Sequence, residues 1–426
     1  MIRKIRDKIA QDVYLKNFLT LFSGTAFVQI LPFFTAPITT RIYDPVDYGY
    51  TAMYNAVIGL FTIFIFSHYV HFIIIADRKK DIVNVLFLSL YIAVIITILL
   101  FLVVYLVPRS FLDQVLAEEY FVFLYLMPLV VFLMGYGQII NTWNNKQGKY
   151  SLMSKIRIAN ALLTVGIIIS VGLLVDGPYG LFISIIFSPL LTSIISTYFF
   201  IREDRKFLRL VSFRWLIHLM KREKRYALFI FPSDLINKYI NLLPLFVVES
   251  LGGKVNLGNY QFSQRILGMP IQFIGTSVLE VFRKKAIDEY NSEGNCLKTF
   301  KQTAKILAGL SIVPTLILLC FAPEIFQFVF GDRWYGAGQI TQALSVLYFF
   351  KMVSSPLSYV YYIARKTRED LITQVGLVIL NLLALALGYF YFEDVFTMVL
   401  LYALSYSAIY ALQLVRSYHF AKGNLR

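Results

Sequence analysis

Apolar residues dominate the chain in long stretches that alternate with short polar segments. Each stretch is long enough for a helix of about 20 residues, the length that crosses a hydrocarbon core of about 30 Å. The predicted spans are 14–40, 46–76, 82–107, 118–141, 152–175, 178–201, 226–249, 255–282, 302–322, 336–363, 370–391 and 394–416. This pattern predicts an all-α integral membrane protein with about twelve transmembrane helices.

The composition agrees with a membrane location. Of the 426 residues, 58% are hydrophobic and 15% are charged, which is too apolar for an ordinary soluble protein. The formal net charge of +15 could indicate a nucleic-acid partner. The basic residues, however, lie in short clusters between the predicted spans, so no nucleic-acid partner is expected.

Alternate segments between the predicted spans differ in their Lys and Arg content. One set, which includes both termini, carries 33 of the 40 basic residues. The opposite set carries four, and three lie within spans. Because short cytoplasmic loops are enriched in Lys and Arg, both termini are predicted to be cytoplasmic.

The longest predicted cytoplasmic connection divides the spans six and six. This division predicts an N-terminal six-helix lobe at 1–201, a cytoplasmic basic linker at 202–225 and a C-terminal six-helix lobe at 226–426. A short internal repeat supports it, because VDYGYTAMYNAVIG (46–59) aligns without a gap with VNLGNYQFSQRILG (255–268). The identities are Val46 with Val255, Gly49 with Gly258 and Gly59 with Gly268. Transporters built from parallel repeats place the substrate between the two halves.

Charged and amide side chains recur inside the seventh, eighth and tenth predicted spans. In the seventh span, the polar residues lie at offsets of 0, 3, 4 and 7 and therefore on one helical face: Asp234, Asn237, Lys238 and Asn241. A charged side chain near the bilayer centre costs on the order of 3 kcal/mol, so these residues are expected to face a hydrated central cavity. The candidate substrate-binding residues are Lys238, Arg265, Lys351, Asp234, Asn237, Asn241, Gln261 and Gln264.

The charges in this set predict an anionic ligand. Arg265 and Lys351 have no acidic residue within one turn of their own spans, so the cavity is expected to keep a positive excess. Two structural alternatives remain open. Asp234 and Lys238 could simply neutralise each other as an i,i+4 pair, and Arg265 and Lys351 could pair with acids across helices.

Two histidines, His68 and His71, lie three residues apart toward the cytoplasmic end of the second predicted span. Together with Asp234 they are the candidates for coupling transport to an ion, because histidine changes charge near neutral pH. Such a pair of histidines is more often structural or interfacial.

The sequence contains no catalytic, cofactor-binding or metal-binding motif. It lacks a P-loop, a nucleophile elbow and a metal-spaced His/Cys cluster, so the chain is predicted not to be an enzyme and to need no cofactor or metal. The longest predicted external loop, APEIFQFVFGDRWYGAG, is mostly apolar and aromatic. A membrane glycosyl polymerase, which needs larger external loops to hold its acceptor, is therefore disfavoured.

Four stretches carry a family resemblance. They are TTRIYDPVDYG (39–49), GNYQFSQRILGMPIQFIG (258–275), LCFAPEIFQFVFGDRWYGAG (319–338) and SSPLSYVYYIARKTRED (354–370). In order and spacing they resemble the bacterial oligosaccharide-lipid flippases, the polysaccharide-exporting branch of the MOP superfamily that includes the MATE multidrug exporters.

The resemblance implies two six-helix, MATE-like lobes around a central cavity. It also implies that an undecaprenyl-pyrophosphate-linked oligosaccharide for O-antigen, capsule or a related polymer moves from the cytoplasmic to the external leaflet by alternating access. The expected location is the bacterial inner membrane, with H⁺ or Na⁺ as candidate coupling ions and polysaccharide polymerase machinery as a candidate partner.

In this interpretation, Lys238 helps to hold the pyrophosphate, and Asp234 neutralises Lys238 when the cavity is empty. A MATE-like drug or metabolite antiporter and a peptidoglycan-precursor flippase are the alternatives. The antiporter is disfavoured because a cavity for organic cations should be rich in acidic residues, and this one has a positive excess.

Overall fold

A computed structural model describes residues 13–65, 69–224 and 231–423. These residues form helices joined by short turns, and they contain no β-strand. The α-helices are α1 Val13–Ile42, α2 Pro45–Ile65, α3 Val70–Ile75, α4 Lys79–Leu106, α5 Arg109–Val115, α6 Phe121–Lys146, α7 Tyr150–Gly172, α8 Tyr179–Asp204, α9 Phe213–Arg222, α10 Phe231–Pro270, α11 Thr276–Glu293, α12 Leu297–Phe330, α13 Tyr335–Leu357, α14 Val360–Ile363, α15 Thr367–Leu387 and α16 Val395–Ala421. Short 3-10 turns precede α6, α9 and α13, and π-helical turns follow α10 and α15.

The helices confirm the predicted fold class. Within the described residues, each predicted span coincides with helix, and ten helical stretches are long and apolar enough to cross a membrane. Helix α1 adds the first predicted span, and the stretch Lys238–Glu293 contains the second half of the seventh span and all of the eighth. The chain is therefore an all-α, multi-pass membrane protein of about twelve transmembrane helices.

Helix α10 contains the turn between two predicted spans. Its 40 residues include Gly253, whose φ of 67° and ψ of −169° break the helical conformation. A residue with a side chain rarely adopts such a positive φ, so glycine is required at this point. Lys254 follows and forms an ion pair of 2.9 Å with Glu249. The external loop expected between 249 and 255 is thus reduced to a kink.

Helix α12 is longer than the sequence predicts. The expected external loop APEIFQFVFGDRWYGAG stays helical as far as Phe330, and a 3-10 turn follows at Asp332–Trp334. Phe326 and Phe330 are one turn apart and buried, and the ring of Phe262 lies 6.0 and 4.9 Å from theirs. Because aromatic packing adds stability beyond burial alone, this cluster extends the helix past the end of the hydropathy signal.

The chain divides into two compact units. The first contains the described residues as far as Thr35 together with Tyr50–Leu243, and the second contains Ala36–Gly49 and the residues from Pro244 onward. Three helices, α1, α2 and α10, therefore contribute residues to both units. The lobes expected at 1–201 and 226–426 were defined by counting six predicted spans in each half, not by packing. They stay a prediction.

The core of the first unit is built on aromatic side chains from α2, α6 and α8. The ring of Phe182 stacks on that of Phe123 at a centroid distance of 4.5 Å and meets Tyr54 edge-on at 5.3 Å. The buried Tyr54 hydroxyl donates to the Phe123 carbonyl at 2.9 Å, so its polar group is satisfied. This cluster fixes the helices that carry the candidate site.

The second unit brings three of the stretches that carry the family resemblance into contact. Trp334 is fully buried, its ring lies 4.4 Å from Phe262 and 5.0 Å from Tyr48, and its indole donates to the Thr40 carbonyl at 3.0 Å. Arg333 forms an ion pair with Asp44.

The aligned glycines of the repeat also meet in this unit. A Cβ on Gly49 would lie 1.9 Å from the Lys254 carbonyl oxygen, and one on Gly258 would lie 1.8 Å from the Pro45 carbonyl oxygen. Only glycine allows so close an approach of two backbones.

The basic linker expected at 202–225 is an ordered part of the first unit through residue 224. Helix α8 ends at Asp204, a 3-10 turn follows, and α9 spans Phe213–Arg222. Asp204 is 4% exposed and accepts hydrogen bonds of 2.7 Å from both the Trp143 indole and the Lys149 ammonium. Burial alone would lower the pKa of Lys149, but Asp204 and Glu203 outweigh this effect and raise the pKa above its ordinary value.

Candidate functional site

The predicted pair Asp234 and Lys238 lies at a cavity inside the first unit. Both residues belong to the part of α10 that packs with this unit, and their spacing of four residues places them on one helical face. They line a cavity of about 340 Å³ together with Asn55 of α2 and Gln138 of α6. Helices α2, α6 and α10 thus direct a cation, a carboxylate and two amides toward one space.

The ammonium group of Lys238 lies over Gly59 of α2. A Cβ added to Gly59 would be 3.1 Å from Lys238 Cε and 3.3 Å from Nζ, so the absence of a side chain leaves room for the ammonium. Lys238 forms no ion pair with any described residue, Asp234 included. The alternative of a neutral i,i+4 pair is therefore not formed, and Lys238 lines the cavity with its charge unpaired by a described residue.

A second cavity, of about 430 Å³, shares Thr62, Met134 and Gln138 with the first. Arg157 of α7 lines this cavity and donates to Thr25 Oγ1 at 3.0 Å. Because the two cavities share three lining residues, they are adjacent. Among the residues that line them, Arg157 and Lys238 are cationic and Asp234 is a carboxylate.

The wall of the second cavity is rich in uncharged hydrogen-bonding groups. Amide side chains come from α6 and α7, and hydroxyl side chains come from α8. These residues are Asn141, Asn144, Asn160, Thr192, Ser193 and Ser196. Amides and hydroxyls both donate and accept hydrogen bonds, so this wall suits a ligand that carries many hydroxyl groups.

Arg157 lines the candidate site, and the sequence interpretation missed it. Its proximity to Lys146, Lys149 and Lys155 made it look like part of a cytoplasmic loop. Helix α7 begins at Tyr150, however, and places Arg157 two turns inside a membrane-crossing segment. The spacing of Arg157, Asn160 and Thr164 on one helical face was the signal that could have revealed it.

The remaining predicted basic residues lie in the second unit. Arg265 is exposed on α10, and Lys351 is half-buried on α13 with its ammonium 5.4 Å from the centre of the Tyr348 ring. Neither forms an ion pair with a described residue. Pairing across helices, the structural alternative for these two residues, is thus not found in the part of the chain that the structure describes.

The other candidates are less informative. Gln264 donates from Nε2 to the Tyr260 hydroxyl at 2.6 Å, Gln261 is half-buried, and Asn241 is exposed on α10. The side chains of Asn237 and His71 lie outside the described residues, as does His68. Their predicted roles stay predictions. No group of three or more His, Cys, Asp or Glu side chains that could hold a metal occurs in the described ranges.

Known proteins give an independent comparison. Residues 38–339 match the family described as polysaccharide biosynthesis protein. No curated protein sequence matches the chain. Among solved structures, the chain is similar to an inward-facing multidrug resistance MATE family transporter of the MOP superfamily, with 13% identity, a TM-score of 0.69 and coverage of 93% of each chain.

The lipid II flippase MurJ, in an inward closed conformation, is also similar, at 14% identity and a TM-score of 0.65, with 94% of this chain and 90% of that chain covered. A MOP superfamily transporter from Pyrococcus furiosus with a binding pocket of reverse polarity matches at 15% identity and a TM-score of 0.56, with coverage of 94% and 93%. At these identities the structural likeness establishes the fold. Because the family match covers more than half of the sequence, the chain belongs to the polysaccharide biosynthesis protein family, which confirms the resemblance predicted from its sequence.

Proposed function

We propose that this protein is a flippase that moves a lipid-linked oligosaccharide, carried on undecaprenyl pyrophosphate, from the cytoplasmic to the external leaflet by alternating access. The observation that carries the proposal is the Lys238 ammonium, which has no ion pair among the described residues and is directed at a cavity in a membrane protein. Arg157 adds a second cation in the adjacent cavity. Membership of the polysaccharide biosynthesis family supports a substrate of this class.

The residues of the cavity divide the work of binding such a substrate. A pyrophosphate cannot cross hydrocarbon with its charge unbalanced, and Lys238 and Arg157 supply the opposite charge. The planar guanidinium of Arg157 can bind phosphate oxygens through two hydrogen bonds, whereas Lys238 acts as a point charge. The amide and hydroxyl wall replaces water around the first sugars, and Asp234 reduces the net charge of the empty cavity.

In the same proposal, Arg265 and Lys351 of the second unit also bind the anionic part of the substrate. Each carries a positive charge without an ion pair to a described residue, and Lys351 lies within a transmembrane helix. We expect the Arg265→Ala and Lys351→Ala variants each to reduce surface polymer at near-normal protein abundance. Lys351→Arg should retain more activity than Lys351→Gln, because a diffuse pyrophosphate requires positive charge more than one fixed hydrogen bond.

The setting of the proposal is the bacterial inner membrane, with both termini in the cytoplasm. The Lys and Arg distribution supports this orientation. O-antigen, capsule or a related polymer is the proposed product. His68, His71 and Asp234 are the proposed residues for H⁺ or Na⁺ coupling, and polymerase machinery is the proposed protein partner.

The proposal is tested with charge variants in a bacterial strain that lacks its own copy of the gene. Lys238→Gln and Arg157→Gln should lower surface polymer several-fold, while protein abundance stays near that of the wild type. Lys155→Gln is the matched control, because Lys155 is exposed on the same helix two residues before Arg157. Normal polymer levels in both cavity variants would exclude the proposed site.

A binding measurement separates the flippase from its alternatives. Purified protein should bind undecaprenyl pyrophosphate, and Lys238→Gln should weaken binding about tenfold or more, since a hydrogen bond to a charged group contributes about 1.5–3 kcal/mol. A drug antiporter would instead lower cellular accumulation of a cationic dye. A peptidoglycan-precursor flippase would support growth when the native precursor flippase is depleted.

A further inference from the structure

Helix α9 has an apolar face that is not used in its packing on the first unit. Leu216 and Leu219 are buried, at 8% and 0% exposure. Phe213, Ile217 and Met220 are 63%, 39% and 40% exposed, and their spacing of three and four residues places them together on one side of the helix. One apolar side of this ten-residue helix packs on protein, and another is exposed. The exposed side requires an apolar environment of its own.

The hydrogen bonds of α9 fix its depth in the membrane. At its start, the Ser212 amide donates to Asn84 Oδ1 at 2.8 Å. Near its end, Arg222 forms an ion pair of 3.1 Å with Asp81. In between, the Trp215 indole donates to the same Asp81 at 2.8 Å. Both ends of α9 are thus attached within the first two turns of α4.

The length of α4 places this attachment at the level of the lipid headgroups. Its 28 residues are about 42 Å long at 1.5 Å per residue, about 12 Å more than the hydrocarbon core. Asp81 and Asn84 lie within about 8 Å of its first residue. The exposed apolar face of α9 is therefore held next to the bilayer, at the boundary between headgroups and hydrocarbon.

The exposed charges around α9 that have no ion-pair partner are positive. The carboxylates Glu203 and Asp204 are paired with Lys149, and Glu223 is paired with Arg222. Five exposed basic residues in the same segment form no ion pair with a described residue: Arg205, Lys206, Arg209, Arg214 and Lys221. A positively charged surface at headgroup depth is complementary to anionic lipids.

We infer that α9 and the turn before it form a binding surface for anionic phospholipids. Phe213, Ile217 and Met220 enter the edge of the hydrocarbon, and the basic residues bind phosphate groups of the surrounding leaflet. The occupant is the bilayer surface itself, because the exposed ring of Phe213 lies 6.4 Å from the exposed ring of Tyr91 on α4, a helix long and apolar enough to cross the membrane. This surface is separate from the polar cavity, and the inference does not depend on the proposed substrate.

The first experiment measures the depth of α9 in the membrane. The full-length protein, with Cys320→Ser to remove the exposed cysteine, is spin-labelled at Ile217→Cys and reconstituted into nanodiscs of phosphatidylglycerol and phosphatidylcholine. The label should be more accessible to oxygen than to a water-soluble nickel complex. His218→Cys is the matched control, because its side chain is exposed on the adjacent polar side of the helix and should show the opposite preference.

The second experiment measures lipid selectivity. Arg214→Gln combined with Lys221→Gln should lower the preference of the purified protein for phosphatidylglycerol over phosphatidylcholine by roughly fivefold for each charge removed, measured by native mass spectrometry. Lys284→Gln combined with Lys298→Gln removes the same charge from exposed positions on α11 and α12. This control pair should leave the preference near that of the wild type.

Three results would overturn the inference. A nickel-accessible label at Ile217 would place the apolar face in water. An equal loss of selectivity in the control pair would assign the effect to net charge alone. Displacement of phosphatidylglycerol by inorganic phosphate would identify a site for free anions in place of a bilayer surface.

Discussion

The contact between α1 and α7 gives a direct test of how the polar cavity is built. A Cβ at Gly24 would lie 1.9 Å from Ser154 Oγ and 2.9 Å from Ser154 Cβ, whereas real Cβ contacts are longer than 3.0 Å. Rotating Ser154 would move Oγ but leave Cβ in place, so Gly24→Ala must push the helices apart. Overpacking of this kind costs about 1–3 kcal/mol.

The same displacement should affect the cavity. Thr25 follows Gly24 and accepts the 3.0 Å hydrogen bond from Arg157 on α7. A separation of roughly 0.5 Å brings that contact to the limit of a hydrogen bond. Gly24→Ala should therefore reduce both the free energy of unfolding and the affinity for undecaprenyl pyrophosphate.

A double-mutant cycle measured by thermal unfolding in detergent tests this reasoning. Ser154→Gly removes both clashing atoms, so the pair Gly24→Ala and Ser154→Gly should regain most of the stability that Gly24→Ala loses. Gly166→Ala on α7 is the matched control, because its Cβ would meet no atom within 4 Å and should be tolerated. If the two changes at the contact are simply additive, the close packing of α1 on α7 is not what limits stability.

Three further predictions concern single side chains. Gly59→Ala should be tolerated, because only the flexible end of Lys238 has to move by a few tenths of an ångström, whereas Gly59→Val should displace the ammonium and weaken undecaprenyl-pyrophosphate binding. The raised pKa of Lys149 means that its interaction with Asp204 stabilises the fold below its ordinary pKa of 10.5 and is lost as the pH rises through the higher folded value. Lys149→Met should therefore melt earlier than wild type near neutral pH, with the difference shrinking at strongly alkaline pH; an unchanged difference would contradict the assignment. Burial raises the pKa of Cys296 to about 12, and its side chain is 0% exposed, so N-ethylmaleimide should label it only after unfolding, and labelling of the native protein would contradict the packing.

The spans were predictable because each transmembrane helix must be apolar over its whole length, whatever its neighbours are. The exceptions depend on tertiary contacts or on the local backbone conformation of one residue. Helix α12 continues to Phe330 because Phe262 packs against Phe326 and Phe330 at its end. The kink at Gly253 replaces an expected loop because a glycine there adopts a positive φ. A hydropathy average over a window of residues reports neither the aromatic packing at the end of α12 nor the backbone conformation at Gly253.

The site was predictable only in part for a similar reason. Helical periodicity places Asp234 and Lys238 on one face, but it does not say which residues of α2 and α6 they meet. Asn55 and Gln138 join the cavity through tertiary packing. Arg157 was missed because a count of charges between spans assigns a basic residue near a helix end to the loop, even when the helix starts two turns earlier.

The basic residues of the first unit differ in whether a carboxylate is paired with them. Lys149 and Arg222 each have carboxylate partners, and each holds a turn or helix in place. Lys238 is also partly buried, yet it forms no ion pair with a described residue and lies over a glycine that leaves space beside it. An ammonium in a membrane protein is costly unless water or an anion balances it. A ligand that brings negative charge into the cavity offsets this unfavourable free energy, and a neutral ligand does not. The unpaired ammonium of Lys238 therefore favours an anionic substrate over a neutral one.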